Sequence, residues 1–297
     1  MWVKDESYCP TRTFKDRLAW KYVEAAIAGR LPCGSKTVLG SITLGNTMRS
    51  FARAVAHGMS PKQRPKLFAI FPSDFSTRKM GPDSKSKTCL GSEILDNLTA
   101  NGVRCIEYPL DQGFLSDAEL DVLACKHFGS SARLFNATNG IGIPAYKQIL
   151  IEALDKMPTP PDCIVVPVGA GVLFMEWVEV IRERNLKTRV VGVAVTRSDS
   201  IADKIYGLYS PFYLDLFHKG IVTYQDDSRF IVQRIADEQI KAVTTHSLPQ
   251  GFENAEPSSW AVLVPLLESS APSPSIRGVV LVVNTGDGIP STLDSGP

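Results

Sequence analysis

The sequence predicts an α/β protein built from mostly parallel, twisted sheets covered on both faces by helices. Three observations carry that expectation. Strand-like and helix-like segments alternate along almost the whole chain. The segments Cys163 to Val168 (CIVVPV) and Gly278 to Val283 (GVVLVV) are near-continuous aliphatic runs, as strands buried on both faces require. The composition is that of a globular protein: 297 residues, 44% hydrophobic and 21% charged, enough for one large or two modest domains with a substantial core.

Charge and patterning exclude several classes. Lys+Arg at 32 against Asp+Glu at 31 leaves a net charge of +1, so no nucleic-acid partner is expected. Charges at Lys4, Asp5, Glu6, Arg12, Lys15, Asp16 and Arg17 rule out an apolar signal segment in the first thirty residues. The longest near-apolar run, Ile164 to Phe174, is too short to cross a bilayer and contains Pro167, so no membrane association is expected. The six cysteines are scattered without a C-x-x-C pair, which fits reduced thiols in a cytoplasmic protein better than disulfides or a zinc site. The four histidines show no metal spacing, and no metal site is expected.

The elements follow in order. Phe14 to Ala28 reads as a helix with Leu18, Tyr22, Ala25 and Ala26 on one face and Gly29 as its stop. Thr37 to Thr43 reads as a strand, Asn46 to Ala56 as a helix stopped by Gly58, and Lys66 to Phe71 as a strand. Ser76 to Thr88, rich in Lys, Ser and Gly, reads as a surface loop. Helix Ser92 to Ala100, strand Val103 to Tyr108, helix Ser116 to His127 and a short strand at Arg133 to Phe135 complete the first half. Asn139-Gly140 breaks the pattern, which predicts lobes of 1–137 and 138–297.

The second half repeats the alternation. It runs through helix Ile143 to Leu154, strand Cys163 to Val168, helix Leu173 to Arg184, strand Arg189 to Ala194 and a helix near Ile201. Helices Arg229 to Lys241 and Ser258 to Leu267 follow, then the last strand, Gly278 to Val283.

Two glycine-rich turns deserve comparison. Gly29-x4-Gly34-Ser35-Lys36-Thr37 is close to a nucleotide-binding P-loop, but a helix precedes it and a strand follows, the reverse of the order that aims a helix N-terminus at phosphate. Gly169-Ala170-Gly171 has the correct order, directly after a buried strand and before a helix. Alone, such a turn is as often tight packing as a ligand site. Lys15, at the first turn of its helix, reads by itself first as a solvated surface lysine; the alternative is that the positive end of the helix, which disfavours a cation there, helps keep its amine neutral and nucleophilic.

Lys4-Asp5-Glu6 with Pro10-Thr11-Arg12-Thr13-Phe14-Lys15-Asp16-Arg17 resembles the K-D-E…P-T-G-S-F-K-D-R signature of threonine synthases, which are pyridoxal-phosphate enzymes of the tryptophan-synthase-β-like, fold type II class. Further likenesses come in family order. Thr43-Leu44-Gly45-Asn46-Thr47 resembles the S/T-x-G-N-T loop, and Pro167-Val168-Gly169-Ala170-Gly171 the P-V-G-N-x-G phosphate loop. Glu256-Pro257-Ser258-Ser259 resembles E-P-S-S, and Thr285-Gly286-Asp287-Gly288 the terminal T-G-x-G.

The resemblance implies two lobes with the cofactor, pyridoxal 5′-phosphate, in the cleft between them. Lys15 would bind the cofactor aldehyde as an imine and later move the proton at the substrate α-carbon. Asn46 would hydrogen-bond the cofactor 3′-oxygen, and Gly169, Ala170, Gly171, Val172 and Leu173 would cradle its phosphate. Thr285 would face the pyridine nitrogen; a hydroxyl there leaves the ring a weaker electron sink than a carboxylate would, which suits elimination and replacement at the β or γ carbon. Thr43, Leu44, Gly45 and Thr47 would grip the substrate carboxylate. Arg12 and Arg49 flank these motifs and would receive a second anion on the substrate or nucleophile, with solvated helix-surface arginines as the alternative.

Some positions depart from the family. Val172 stands where Gly is preferred and would resist a positive φ; Leu173 removes a side-chain donor; Met48 replaces a small residue and should reshape the pocket. Relatives carry a further segment before the lysine motif that helps complete the sheets and the cleft; here that segment is naturally short, lost or supplied by another chain, and a cleft that could not exclude water would weaken the electrostatics. The implied reaction is elimination or replacement on an amino acid with an activated, phosphorylated hydroxyl, as in threonine synthase. A β-replacement enzyme of the cysteine- or cysteate-synthase type, acting on an activated serine, is one alternative. A non-catalytic homologue acting as a binding or assembly partner is the other. A small-molecule amino acid is the expected partner, and the resemblance leaves room for a homodimer.

Overall fold

The computed structural model describes residues 1–77, 90–110, 115–137, 142–207, 210–267, 276 and 278–286. Most of the expected loop from Ser76 to Thr88, the expected lobe boundary at 138–141, Cys89, and Asp287 and Gly288 of the terminal motif lie outside the described residues.

The described elements begin with β1 (Trp2–Asp5), α1 (Lys15–Ile27), β2 (Thr37–Ile42), α2 (Asn46–Gly58) and β3 (Lys66–Pro72). They continue through α3 (Leu90–Ala100), β4 (Val103–Tyr108), α4 (Asp117–Phe128), β5 (Arg133–Asn136), α5 (Gly142–Lys156), β6 (Cys163–Pro167), α6 (Val172–Glu183) and β7 (Arg189–Ala194). The last are α7 (Tyr213–Lys219), β8 (Ile221–Tyr224), β9 (Asp227–Arg234), α8 (Asp237–Val243), α9 (Pro257–Trp260), α10 (Val264–Leu267) and β10 (Val280–Asn284).

The chain forms two compact units, one holding Lys15–Gly142 and the other Met1–Phe14 with Ile143–Ile289. The expected 1–137 and 138–297 division therefore differs at the N-terminus, where fourteen residues belong with the C-terminal half. The reason is a strand with no signature in its own sequence. Trp2–Asp5 pairs in parallel with β10 at the sheet edge, and the charges of Lys4-Asp5-Glu6 are all engaged: Lys4 pairs with Glu6 at 2.9 Å and Glu152 at 3.0 Å, and Asn284 Nδ2 donates to Asp5 at 3.1 Å.

In the first unit four parallel strands run in the order β4-β3-β2-β5. Leu18, Ala19, Tyr22, Val23 and Ala26 form the buried face of α1, one 3.6-residue stripe. Tyr22 meets Phe51 of α2 edge-on at 5.8 Å. Gly58 closes α2 against α1: a Cβ there would lie 2.6 Å from Val23 Cγ1 and 2.9 Å from the Trp20 ring.

In the second unit six strands run in the order β1-β10-β6-β7-β9-β8, parallel except for the antiparallel edge strand β8. Both central runs, β6 and β10, are buried along their whole length, as their aliphatic sequences require. Trp177 of α6 is fully buried, and its indole N–H donates to the Tyr146 carbonyl at 3.0 Å.

Several expected elements take other forms. Arg229 to Arg234, expected to open a helix, is part of β9, and helix begins only at Asp237. The β8–β9 hairpin turns on Gln225 and Asp226, both left-handed at φ 52° and 57°, a geometry usually announced by Asn-Gly. The expected helix near Ile201 is a single 3-10 turn at Asp203–Ile205. Ser258 to Leu267 is broken into α9, a 3-10 turn and α10, with Pro265 inside the last turn.

Candidate functional site

Two strand-to-helix junctions, one in each unit, carry most of the expected site residues. In the first unit, β2 ends at Ile42 and α2 begins at Asn46. Thr43 fixes the turn between them, its N–H donating to Ile70 O at 3.0 Å and its hydroxyl accepting from Gly45 N–H at 3.0 Å. Gly45 takes φ 116°, closed to a side chain, and precedes a helix start with no side-chain cap. The start of α2 thus has no side-chain cap, the arrangement in which first-turn N–H groups can receive an anion.

Leu44 is half-buried; Thr43, Gly45, Asn46, Thr47 and Arg49 are buried, and Met48 is fully enclosed in the core. Met48 therefore offers no accessible surface at the turn. Arg49, whose alternative reading was a solvated helix surface, is buried. Asn46 Oδ1 is buried and accepts no hydrogen bond, an unmet acceptor at the position expected to serve a ligand.

In the second unit, β6 delivers the chain through Val168 and Gly169-Ala170-Gly171 into α6. Val168 N–H donates to Val193 O at 2.8 Å, holding the turn to the sheet. Gly171 is left-handed at φ 91° and precedes α6 without a side-chain cap. A Cβ on Gly171 would sit 3.3 Å from Ser210 Oγ, and one on Gly169 would sit 2.9 Å from the Lys204 carbonyl. The bare backbone is thus required, and it leads into a twelve-residue helix whose start has no side-chain cap, an arrangement that can receive an anion.

Here an expectation is corrected. Val172 was expected to meet a positive φ, but the left-handed turn falls on Gly171, and Val172 is the first helical residue of α6. Leu173 is buried and supplies no donor, as its side chain dictates.

Thr285 follows β10 and is buried. Its hydroxyl lies 3.0 Å from that of Ser259, whose oxygen also accepts from Thr285 N–H at 3.2 Å. Ser259 has one hydroxyl proton and two acceptors within reach, Thr285 Oγ1 and the Gly286 carbonyl at 3.2 Å; the Thr285 proton is released from the pair only when the Ser259 proton goes to Thr285. Ser259 is the partner that sequence reasoning left without a role; only its place in Glu256-Pro257-Ser258-Ser259 marked it. Thr13 bridges to Gly286, and Phe14 N–H donates to Thr285 O at 3.1 Å. Lys15, the next residue, opens α1 and is half-buried.

Arg12 stands where a glycine was expected and shows why: its φ is 56°, a left-handed conformation that costs a side-chain-bearing residue about 1–2 kcal/mol. Its side chain is exposed. The helix–turn–strand order around Gly29 to Thr37 is as read, with α1 before and β2 after, so no P-loop forms. Among the described residues no group of His, Cys, Asp or Glu could hold a metal ion, and no helix is long and apolar enough to cross a membrane. Cys9, Cys33, Cys105, Cys125 and Cys163 are free thiols.

Helix-flanked, mostly parallel sheets with uncapped helix starts after buried strands define an α/β fold suited to phosphorylated cofactors. The chain belongs to the pyridoxal-phosphate dependent enzyme family, whose profile matches residues 1–286. No curated protein matches the sequence. Among solved structures, the chain is similar to an O-acetylserine dependent cystathionine beta-synthase from Helicobacter pylori, with 21% identity and TM-score 0.63 over 99% of this chain and 88% of that one. It is also similar to a serine racemase from Dictyostelium discoideum, with 17% identity and TM-score 0.64 over 97% of this chain and 87% of the other. A hydrogen sulfide-producing enzyme from Fusobacterium nucleatum aligns at 19% identity and TM-score 0.65, covering 98% and 91%. The fold is therefore that of the type II pyridoxal-phosphate enzymes, and pyridoxal phosphate is the family's cofactor.

The residues of each unit, taken by itself, are compatible with that group. In the unit holding residues 143–289, the uncapped start of α6 over Gly169 and Gly171 suits a phosphate, and the Ser259–Thr285 hydroxyl pair suits a neutral ring nitrogen. In the other unit, the buried Asn46 oxygen without a hydrogen bond suits a protonated ligand oxygen.

Proposed function

We propose that this chain eliminates or replaces an activated, phosphorylated hydroxyl on the side chain of an amino acid, in the manner of threonine synthase. The observation that carries the reading is the buried Ser259–Thr285 hydroxyl pair, which has no carboxylate in the place of Thr285. Hydroxyls leave a pyridine nitrogen unprotonated, and such a ring favours loss of a side-chain group over transamination.

The cofactor supplies an electron sink for the substrate α-carbon. In this reading the Lys15 amine holds the cofactor aldehyde covalently and then carries the α-proton. Backbone N–H groups of residues 169–173 bind the phosphate, and Asn46 orients the ring through its 3′-oxygen. Thr43, Leu44, Gly45 and Thr47 bind the substrate carboxylate at the uncapped start of α2. The buried guanidinium of Arg49 supports a second anion on the substrate, with Arg12 a second candidate.

Phosphate release from O-phosphohomoserine and O-phosphoserine, with Lys15→Ala as the blank, tests the proposal. Release from O-phosphohomoserine with formation of threonine, abolished by the substitution, is the expected result. Release from O-phosphoserine alone would replace this reading with β-replacement on an activated serine, and release from neither would overturn both.

A further inference from the structure

We propose that Lys204 is a positioning residue that ties the phosphate loop to the Ser259–Thr285 wall through its ion pair with buried Glu256. The inference rests on reading those two features as the cofactor's phosphate and ring-nitrogen contacts, and everything in it lies within one unit.

Lys204 sits in the 3-10 turn Asp203–Ile205, which the sheet holds firmly: Val195 N–H donates to Ile205 O at 3.1 Å, and Gly207 N–H donates back to Val195 O at 3.3 Å. Its carbonyl packs on the phosphate loop so closely that a Cβ on Gly169 would lie 2.9 Å away. Further along the chain, Ser210 Oγ and Pro211 lie against Gly171. At the other end, Lys204 Nζ pairs with Glu256 Oε2. Glu256 is buried, with 7% of its side chain exposed, and Lys204 retains 22%.

Glu256 in turn sets the wall. Its N–H donates to Gly286 O at 3.2 Å, and its carbonyl accepts from Ser259 N–H at 2.8 Å and Trp260 N–H at 3.1 Å, starting α9. Ser259 then reaches Thr285 Oγ1 at 3.0 Å and Gly286 O at 3.2 Å. One lysine thus touches the phosphate end with its backbone and anchors the ring end with its ammonium.

The test compares wild type, Lys204→Met, Lys204→Arg and the double variant Lys204→Met/Glu256→Gln. Two readouts are taken: the Kd for pyridoxal phosphate by absorbance titration, and thermal unfolding without cofactor. Lys204→Met should raise Kd by about tenfold or more, as loss of a residue that orients a ligand-binding group does. Lys204→Arg, which keeps the charge, should recover most of the affinity. The double variant strands no charge, so its unfolding midpoint should return towards wild type while its Kd stays raised. Wild-type Kd in Lys204→Met, or recovery of affinity together with stability in the double variant, would overturn the proposal. Failure of the wild-type protein itself to bind pyridoxal phosphate would instead overturn the functional reading on which it rests.

Discussion

Replacing Asn46 by the nearly isosteric Leu should make the protein more stable without its cofactor and less responsive to it. Asn46 is the first residue of α2, 9% exposed, and its Oδ1 is enclosed without a hydrogen-bond partner. An unmet buried acceptor costs about 1–3 kcal/mol, and an apolar group of the same shape removes that cost. In a chain of this size each kcal/mol moves the unfolding midpoint by about 2–4 °C, so a rise of a few degrees is expected. Pyridoxal phosphate at roughly a hundred times its Kd should stabilise the wild type by about 3 kcal/mol. The variant, lacking the contact to the 3′-oxygen, should bind about tenfold more weakly and lose about 1.4 kcal/mol of that gain. Differential scanning fluorimetry with and without the cofactor reads both effects. A variant that melts below wild type without cofactor, or that gains as much as wild type with it, would refute the reasoning that Asn46 is held in an unfavourable state for a ligand.

Gly171→Ala should cost about 1–2 kcal/mol of stability from its left-handed backbone alone and should also weaken pyridoxal phosphate binding, since its Cβ would crowd Ser210. Gly220→Ala, at φ 78° with nothing within 4 Å of the added Cβ, should cost similar stability in urea unfolding and leave cofactor affinity unchanged. Glu176 on α6 has one carboxyl oxygen buried without a partner; burial raises its pKa, with the charges of Glu179 and Glu183 adding to the rise and Lys147 opposing it. Because the folded state holds this proton more tightly than the unfolded state, stability falls as pH rises through and above the ordinary carboxylate range. Glu176→Gln should therefore stabilise the protein by about 1 kcal/mol at pH 7 and gain nothing near pH 4, measured by urea unfolding at both.

How much of this was legible in the sequence follows from where each signal resides. Strands buried on both faces, such as β6 and β10, announce themselves through uninterrupted aliphatic runs, and α1 through its apolar stripe. The glycines at 45 and 171 mark their turns because their backbone angles exclude side chains. What was hidden depends on pairing across the chain. β1 carries charges that only its neighbours satisfy, so residues 1–14 could not be assigned to the C-terminal half from their own pattern. Phe230-Ile231-Val232 fits helix or strand equally, and the hairpin turn that decides between them is built from Gln225 and Asp226 in place of glycine. The Ser259–Thr285 and Lys204–Glu256 pairs join residues far apart in the sequence, where no local spacing reports them. Val172 misled because a family position was matched to a conformation that here belongs to its neighbour.

The central claim is a covalent one, that the amine of Lys15 takes up the cofactor aldehyde. The most direct measurement is borohydride reduction of the protein incubated with pyridoxal phosphate, followed by peptide mass mapping. A yellow protein bleached by the reductant, with one phosphopyridoxyl group on the peptide containing Lys15, is the expected result. A colourless protein with no adduct, or label spread over exposed lysines such as Lys21 and Lys219 with Lys15 unmodified, would contradict it.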